Sequence, residues 1–189
     1  MIRKILLVFV VGAFAIACSN NSLSGKKTFT LLPEAELQNM ATTEYQSFLS
    51  KSKVVAATSN RDADMVKRVG NRIIRAVETY YAEKGMSDKL AGFKWEVNLV
   101  DDATVNAWCM PGGKIVVYTG ILPITQNEAA LAAVMGHEVC HALLQHGNQR
   151  MSQGILQQLG GVALSVALSN KPAETQNLFM TAYGVGSTV

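Results

Sequence analysis

Between Ala129 and Gln145 the chain carries a single formally charged residue, Glu138, among Ala, Leu, Val, Met, Gly, His and Cys. Such a stretch is predicted to be a helix, and one apolar on almost every side is expected to be buried nearly all round. Thr125-Gln126-Asn127-Glu128 has capping-box spacing for its start, and the helix is predicted to run to about His146 with Gly147 as its stop. Set into it is His137-Glu138-Val139-Cys140-His141. Residues four apart share one helical face, so the two imidazoles can converge on one ion at roughly 2.0–2.1 Å per Zn–N bond. Glu138 is rotated about 100° from His137, which suits a group that sits beside a metal rather than one that ligates it. The alternative is a chance H-E-x-x-H inside a core helix. Against it stands the cost of several kcal/mol for an uncompensated carboxylate among apolar neighbours. His146, the third of three histidines in the chain, lies about 140° round the same predicted helix from His141. It is therefore expected off the ligand face, as an imidazole at a helix C-terminus.

The rest of the 189-residue chain reads as one domain of α+β class. From Pro33, suited to a first helical turn, Leu37, Met40, Ala41, Tyr45 and Phe48 recur at helical spacing. A second helix is predicted over Asp62 to Lys84, with Val66, Val69, Ile73, Val77 and Tyr80 on one stripe and Gly85 as the stop. Phe93, Trp95, Val97 and Leu99 alternate with polar residues as in a half-buried strand. A further strand near Val105 to Cys109 meets the turn Pro111-Gly112-Gly113, and Lys114 to Tyr118 reads as another. The run from Gly160-Gly161 to Leu168 is too short to span a membrane, and core packing is its expected role. Seventeen Lys and Arg against 14 Asp and Glu give a net charge of +3, no footprint for nucleic acid.

Arg3 and Lys4 precede the uncharged run Ile5 to Ala17, which ends in small residues before Cys18. That is a basic region, a short apolar region and a processing site, so residues 1–17 are expected to be a signal peptide and 18–31 a flexible tether. Ala15-Ile16-Ala17-Cys18 resembles the bacterial lipobox, with Ala15 where Leu is usual. The resemblance implies lipidation of Cys18, and Ser19 after it implies an outer-membrane anchor facing the periplasm. Cys109 and Cys140 are then expected as buried free thiols, although a bridge between them, or capture of the metal by Cys140, is also open.

Two blocks are more specific than H-E-x-x-H alone. Asn106-Ala107-Trp108-Cys109-Met110-Pro111-Gly112-Gly113-Lys114-Ile115-Val116-Val117-Tyr118-Thr119-Gly120-Ile121-Leu122, followed by Glu128 through Ala142, resembles the HtpX/BepA-like zinc metallopeptidases. That family includes the CAAX prenyl endopeptidases and the mitochondrial Oma proteases, and Lys-Ile-Val-Val-Tyr-Thr-Gly leans towards the Oma-like branch. The resemblance covers residues 32–189 and implies a zincin-like fold: N-terminal helices, a small mixed sheet with an edge strand beside the buried H-E-x-x-H helix, and further C-terminal helices. It implies one Zn2+ per chain held by His137 and His141, with Glu138 as general base towards a zinc-activated water. It also implies polypeptide substrates, misfolded envelope proteins among them. By the same resemblance, the strand Lys114, Ile115, Val116, Val117 and Tyr118 would be the sheet edge that pairs with an extended substrate; an ordinary core strand is the alternative.

The family supplies a third ligand as Glu in an E-x-x-x-D motif on a later helix. Here the only later carboxylate is Glu174, with Leu178 four residues on, and a place in a helix's first turn suits it better. A metzincin third ligand is absent too, since Leu144 and Gly147 stand where Gly and His are needed. The chain is therefore expected to stop short of its own active site. The rival expectation is a peptidase-fold lipoprotein that has lost catalysis and acts as a binding or chaperone-like module.

Overall fold

A computed structural model describes residues 18–21, 23, 25, 27–159 and 172–185. The expected leader and the run from 160 to 168 lie outside the described residues. In chain order the elements are β1 (Cys18–Asn20), β2 (Lys27–Phe29), α1 (Glu34–Lys51), β3 (Val54–Val55), α2 (Arg61–Glu83), β4 (Glu96–Val100), β5 (Ala107–Met110), β6 (Lys114–Tyr118), α3 (Leu122–Thr125), α4 (Glu128–Leu143), α5 (His146–Leu159) and α6 (Pro172–Ala182). The mixture of helices with one small mixed sheet is the expected α+β class. Among the described residues no helix is long and apolar enough to cross a membrane.

The sheet has the order β3-β4-β6-β5, with β4 and β6 parallel and the other pairs antiparallel. Gly112 and Gly113, at φ 74° and 80°, turn the chain from β5 into β6, a backbone region open to glycine at little cost. Alternation along both strands feeds two cores. Trp108, Met110, Val116 and Tyr118 join Leu37, Ala41 and Tyr45 of α1, Met151 and Ile155 of α5 and Phe179 of α6. Ala107, Cys109, Ile115 and Val117 join Val66 and Val69 of α2 and Leu131, Met135 and Val139 of α4. The molecule is thus three layers, with α1, α5 and α6 on one face of the sheet and α2 and α4 on the other.

Lys114 to Tyr118 is not an edge. Strand β6 pairs with β4 on one side and β5 on the other, so both rows of its backbone groups are already used. The outer strand beside α4 is β5, and its four residues are at most 4% exposed. Lys114 itself is buried, donating to Lys94 O (2.6 Å) and Glu96 Oε1 (2.5 Å) and lying 5.9 Å from the centre of the Tyr45 ring. A buried ammonium is tolerable when it is paired and hydrogen-bonded in this way.

Several local expectations change. The segment expected as a tether holds a hairpin in which Ser19 pairs with Thr28. The chain that follows is fastened to α5: Leu31 N donates to Ser152 Oγ and Asn148 Nδ2 to Leu32 O. On α2 it is Tyr81, not Tyr80, that is buried. Helix α4 buries one stripe only, Leu131, Met135, Val139 and Ala142, while His137 and Cys140 are exposed. Its other faces looked apolar because they are rich in alanine, which tolerates exposure.

Helices α2 and α4 and strand β4 meet at Gly70. A Cβ there would lie 2.8 and 2.9 Å from the Val97 γ-carbons and 3.2 Å from Met135 Cε. Gly70→Ala should therefore lower Tm despite alanine's better helix propensity. The crowding against a stiff β-branched side chain outweighs about 1 kcal/mol of propensity and leaves a net loss of about 1–2 kcal/mol. A thermal melt with unchanged or raised Tm would contradict this packing.

Candidate metal centre

Helix α4 starts at Asn127, not at a Thr125 capping box. The Asn127 side chain accepts from Ala130 N at 2.9 Å, while Gln126 stands at φ 59°. Glu128 instead pairs with Arg68 at 2.9 Å, tying α4 to α2. The stripe buried against β5 and α2 sets the rotation of α4 and turns the opposite face outward. On that face His137 and His141 bring their Nε2 atoms to 2.9 Å, with ring centres 4.4 Å apart and planes at 90°.

Glu138 sits between the exposed and buried faces of α4 and is half-buried. Burial pushes its carboxyl above the ordinary range, while His137 and then Arg150 draw it part of the way back. Its field reaches Cys109 on β5. Burial lowers the His141 imidazole, and His137, His146 and Arg150 lower it further. His146 is also held low, by burial first and then by Arg150 and His137.

His146 is where the structure departs most from the expectation. Helix α4 ends at Leu143, Gln145 takes φ 57°, and the chain reverses into α5, whose first residue is His146. Its ring returns to His141, with Nδ1 to Nδ1 at 2.5 Å and ring centres 4.8 Å apart. Gly147, expected as a stop, lies inside α5, where a Cβ would strike the Tyr183 ring at 2.0 Å. Arg150 is exposed. It follows His146 by one turn and faces the same cluster. The sequence signal for both was their four-residue spacing, readable only once the break at Gln145 is known.

Two imidazole nitrogens facing each other beside a half-buried carboxylate are donors of the right chemistry for zinc. They would make two protein ligands; among the described residues no group of three His, Cys, Asp or Glu comes together to hold a metal. Glu174 is exposed in the first turn of α6, about 12 Å along that helix from its C-terminal end. It is the C-terminal end that approaches β5, with Asn106 Nδ2 donating to Gly184 O at 3.1 Å. Cys109 and Cys140 are both free, Cys109 buried and Cys140 exposed. Nothing is described of the side chain of Cys18.

Residues 66–188 match Peptidase family M48, and the chain belongs to that family. Mitochondrial metalloendopeptidase OMA1 of Saccharomyces cerevisiae is 34% identical over 100 residues, which are 51% of this chain and 29% of the yeast protein. Metalloendopeptidase OMA1, mitochondrial, of Homo sapiens is 25% identical over 170 residues, 89% of this chain and 31% of the human protein. Beta-barrel assembly-enhancing protease of Yersinia pestis is 33% identical over 55 residues, 29% of this chain and 11% of that protein. The chain thus spans less than a third of the length of these relatives.

The two thiols should differ sharply in reactivity. Burial, reinforced by Glu138, holds the Cys109 thiol far above its usual range, so it presents almost no thiolate. Maleimide labelling of the native chain at pH 7.5, mapped by mass spectrometry, should modify Cys140 and spare Cys109 until the chain is unfolded. Equal labelling of both would contradict the packing of β5 under α4.

Proposed function

We propose that this chain is the metal-holding and proton-handling part of a zinc metalloendopeptidase with a zincin-like fold. The observation that carries the reading is the facing pair of imidazole nitrogens on the outward side of α4, with Glu138 one residue from His137. His137 and His141 hold the ion through Nε2. When bound, zinc supplies Lewis acidity to the scissile carbonyl and to an attacking water. The Glu138 carboxylate takes a proton from that water and returns it to the departing amine. Its half-burial, which pushes the carboxyl upward, favours handing the proton on to the departing amine.

A polypeptide reaches these groups from the solvent side of α4, where His137 is exposed, because β5 is buried and β6 is internal. The remaining protein ligand comes from outside the described residues. The names of the relatives, mitochondrial metalloendopeptidases and a beta-barrel assembly-enhancing protease, support polypeptide substrates, and misfolded envelope proteins are the class we propose. The basic and apolar leader and the lipobox-like Ala15 to Cys18 support a lipid anchor on Cys18, in the outer membrane and facing the periplasm. A second reading, a peptidase-fold lipoprotein that binds without cleaving, is favoured by the presence of only two donors among the described residues.

Glu138→Gln separates the two. It removes the proton acceptor and no ligand, so casein cleavage by the protein expressed from its complete gene should fall by about 10²-fold or more, with zinc content unchanged. Cleavage at the wild-type rate by this variant would contradict the assignment. A wild-type protein that takes up zinc but cleaves nothing would favour the binding module.

A further inference from the structure

An imidazole that ligates through Nε2 carries its proton on Nδ1, and that N–H needs an acceptor if the ring is to stay aimed at the ion. In His141 the Nδ1 atom does not face open solvent; it lies 2.5 Å from Nδ1 of His146. One of the two nitrogens must donate and the other accept. With His141 in its ligating tautomer, His141 donates and His146 accepts, carrying its own proton on Nε2. His146 is not itself a ligand in this arrangement. The Nδ1 and Nε2 atoms of one ring point to opposite sides, so an ion between His137 and His141 lies across the His141 ring from His146.

The position of His146 is held from several directions. Gln145 at φ 57° reverses the chain, and Gln149 Nε2 donates back to Leu144 O at 3.1 Å. Tyr183 fills the space left by the missing side chain of Gly147. Asn148 Nδ2 ties the next residue to Leu32 O at 3.0 Å. These contacts bring the first turn of α5 to the end of α4 independently of any metal.

We propose that His146 is a positioning residue: its Nδ1 accepts from His141 Nδ1–H, which fixes the tautomer and tilt of His141 and so strengthens zinc binding. This rests on the reading that His137 and His141 hold zinc. Ligands oriented by such a partner lose metal affinity when it is removed, by about tenfold to a hundredfold.

The test is zinc affinity of the full chain at pH 7.5, by competition with a chromophoric chelator, for wild type, His146→Gln, His146→Phe and His137→Ala. Gln keeps an acceptor oxygen and Phe keeps only the ring, so His146→Phe should weaken zinc binding by about tenfold or more and His146→Gln by less than about threefold. A second readout is the 15N spectrum of His141 in the metal-free chain, which should show the Nδ1–H tautomer in wild type and His146→Gln and its loss in His146→Phe. If His137→Ala abolishes zinc binding while His146→Phe matches wild type, the role of His146 is overturned and the zinc reading stands. If wild type binds no more zinc than His137→Ala, the zinc reading falls and takes this proposal with it. Should His146→Phe not fold, the wild-type spectrum decides, and an Nε2–H tautomer of His141 overturns the proposal.

Discussion

The outward placement of His137 and His141 follows from one packing interaction, the burial of Leu131, Met135, Val139 and Ala142 of α4 against α2 and the β5–β6 hairpin. Each of the larger side chains gains about 1.5–3 kcal/mol from leaving water, and no other rotation of α4 buries the same set. That rotation puts His137 and His141 on the opposite, outward side. It leaves Glu138 at the boundary, close enough to β5 to be felt by Cys109. The site is therefore a by-product of how α4 meets the sheet.

The second determinant is where the chain crosses from one layer to the other. Helix α4 belongs to the layer shared with α2, and α5 to the layer shared with α1 and α6. The reversal at Gln145 carries the chain round the β5 side of the sheet, and the reversal itself delivers His146 to His141. The N-terminal hairpin lies near the same crossing, with Asn21 Nδ2 3.5 Å from Leu143 O. A mixed sheet with one buried outer strand thus becomes the wall behind a cluster of three imidazoles, a carboxylate and the nearby Arg150.

Much of this was legible in the residues. Helices α1 and α2, the alternation that makes β4, the Pro111-Gly112-Gly113 turn and the pairing of His137 with His141 all follow from spacing within a few turns of chain. What was not legible depends on partners far away in sequence. The internal place of Lys114 to Tyr118 needs the parallel pairing of β6 with β4, which no local pattern encodes. The half-exposed state of α4 was masked by alanines that read as apolar. Helix α4 ends before the glycine that signals its stop because Gln145, a residue with no special preference for positive φ, makes the turn instead. With that break hidden, His146 could only be placed by continuing the wrong helix.

In the proposed centre, two imidazole nitrogens one helical turn apart hold a single zinc ion. X-ray absorption at the zinc edge of the zinc-loaded chain examines that directly. The nearest shell should include two imidazole nitrogens at about 2.0–2.1 Å, with the outer-shell signature of imidazole rings falling away in His137→Ala and His141→Ala. A shell without imidazole scattering, or one unchanged when both histidines are replaced, would contradict it.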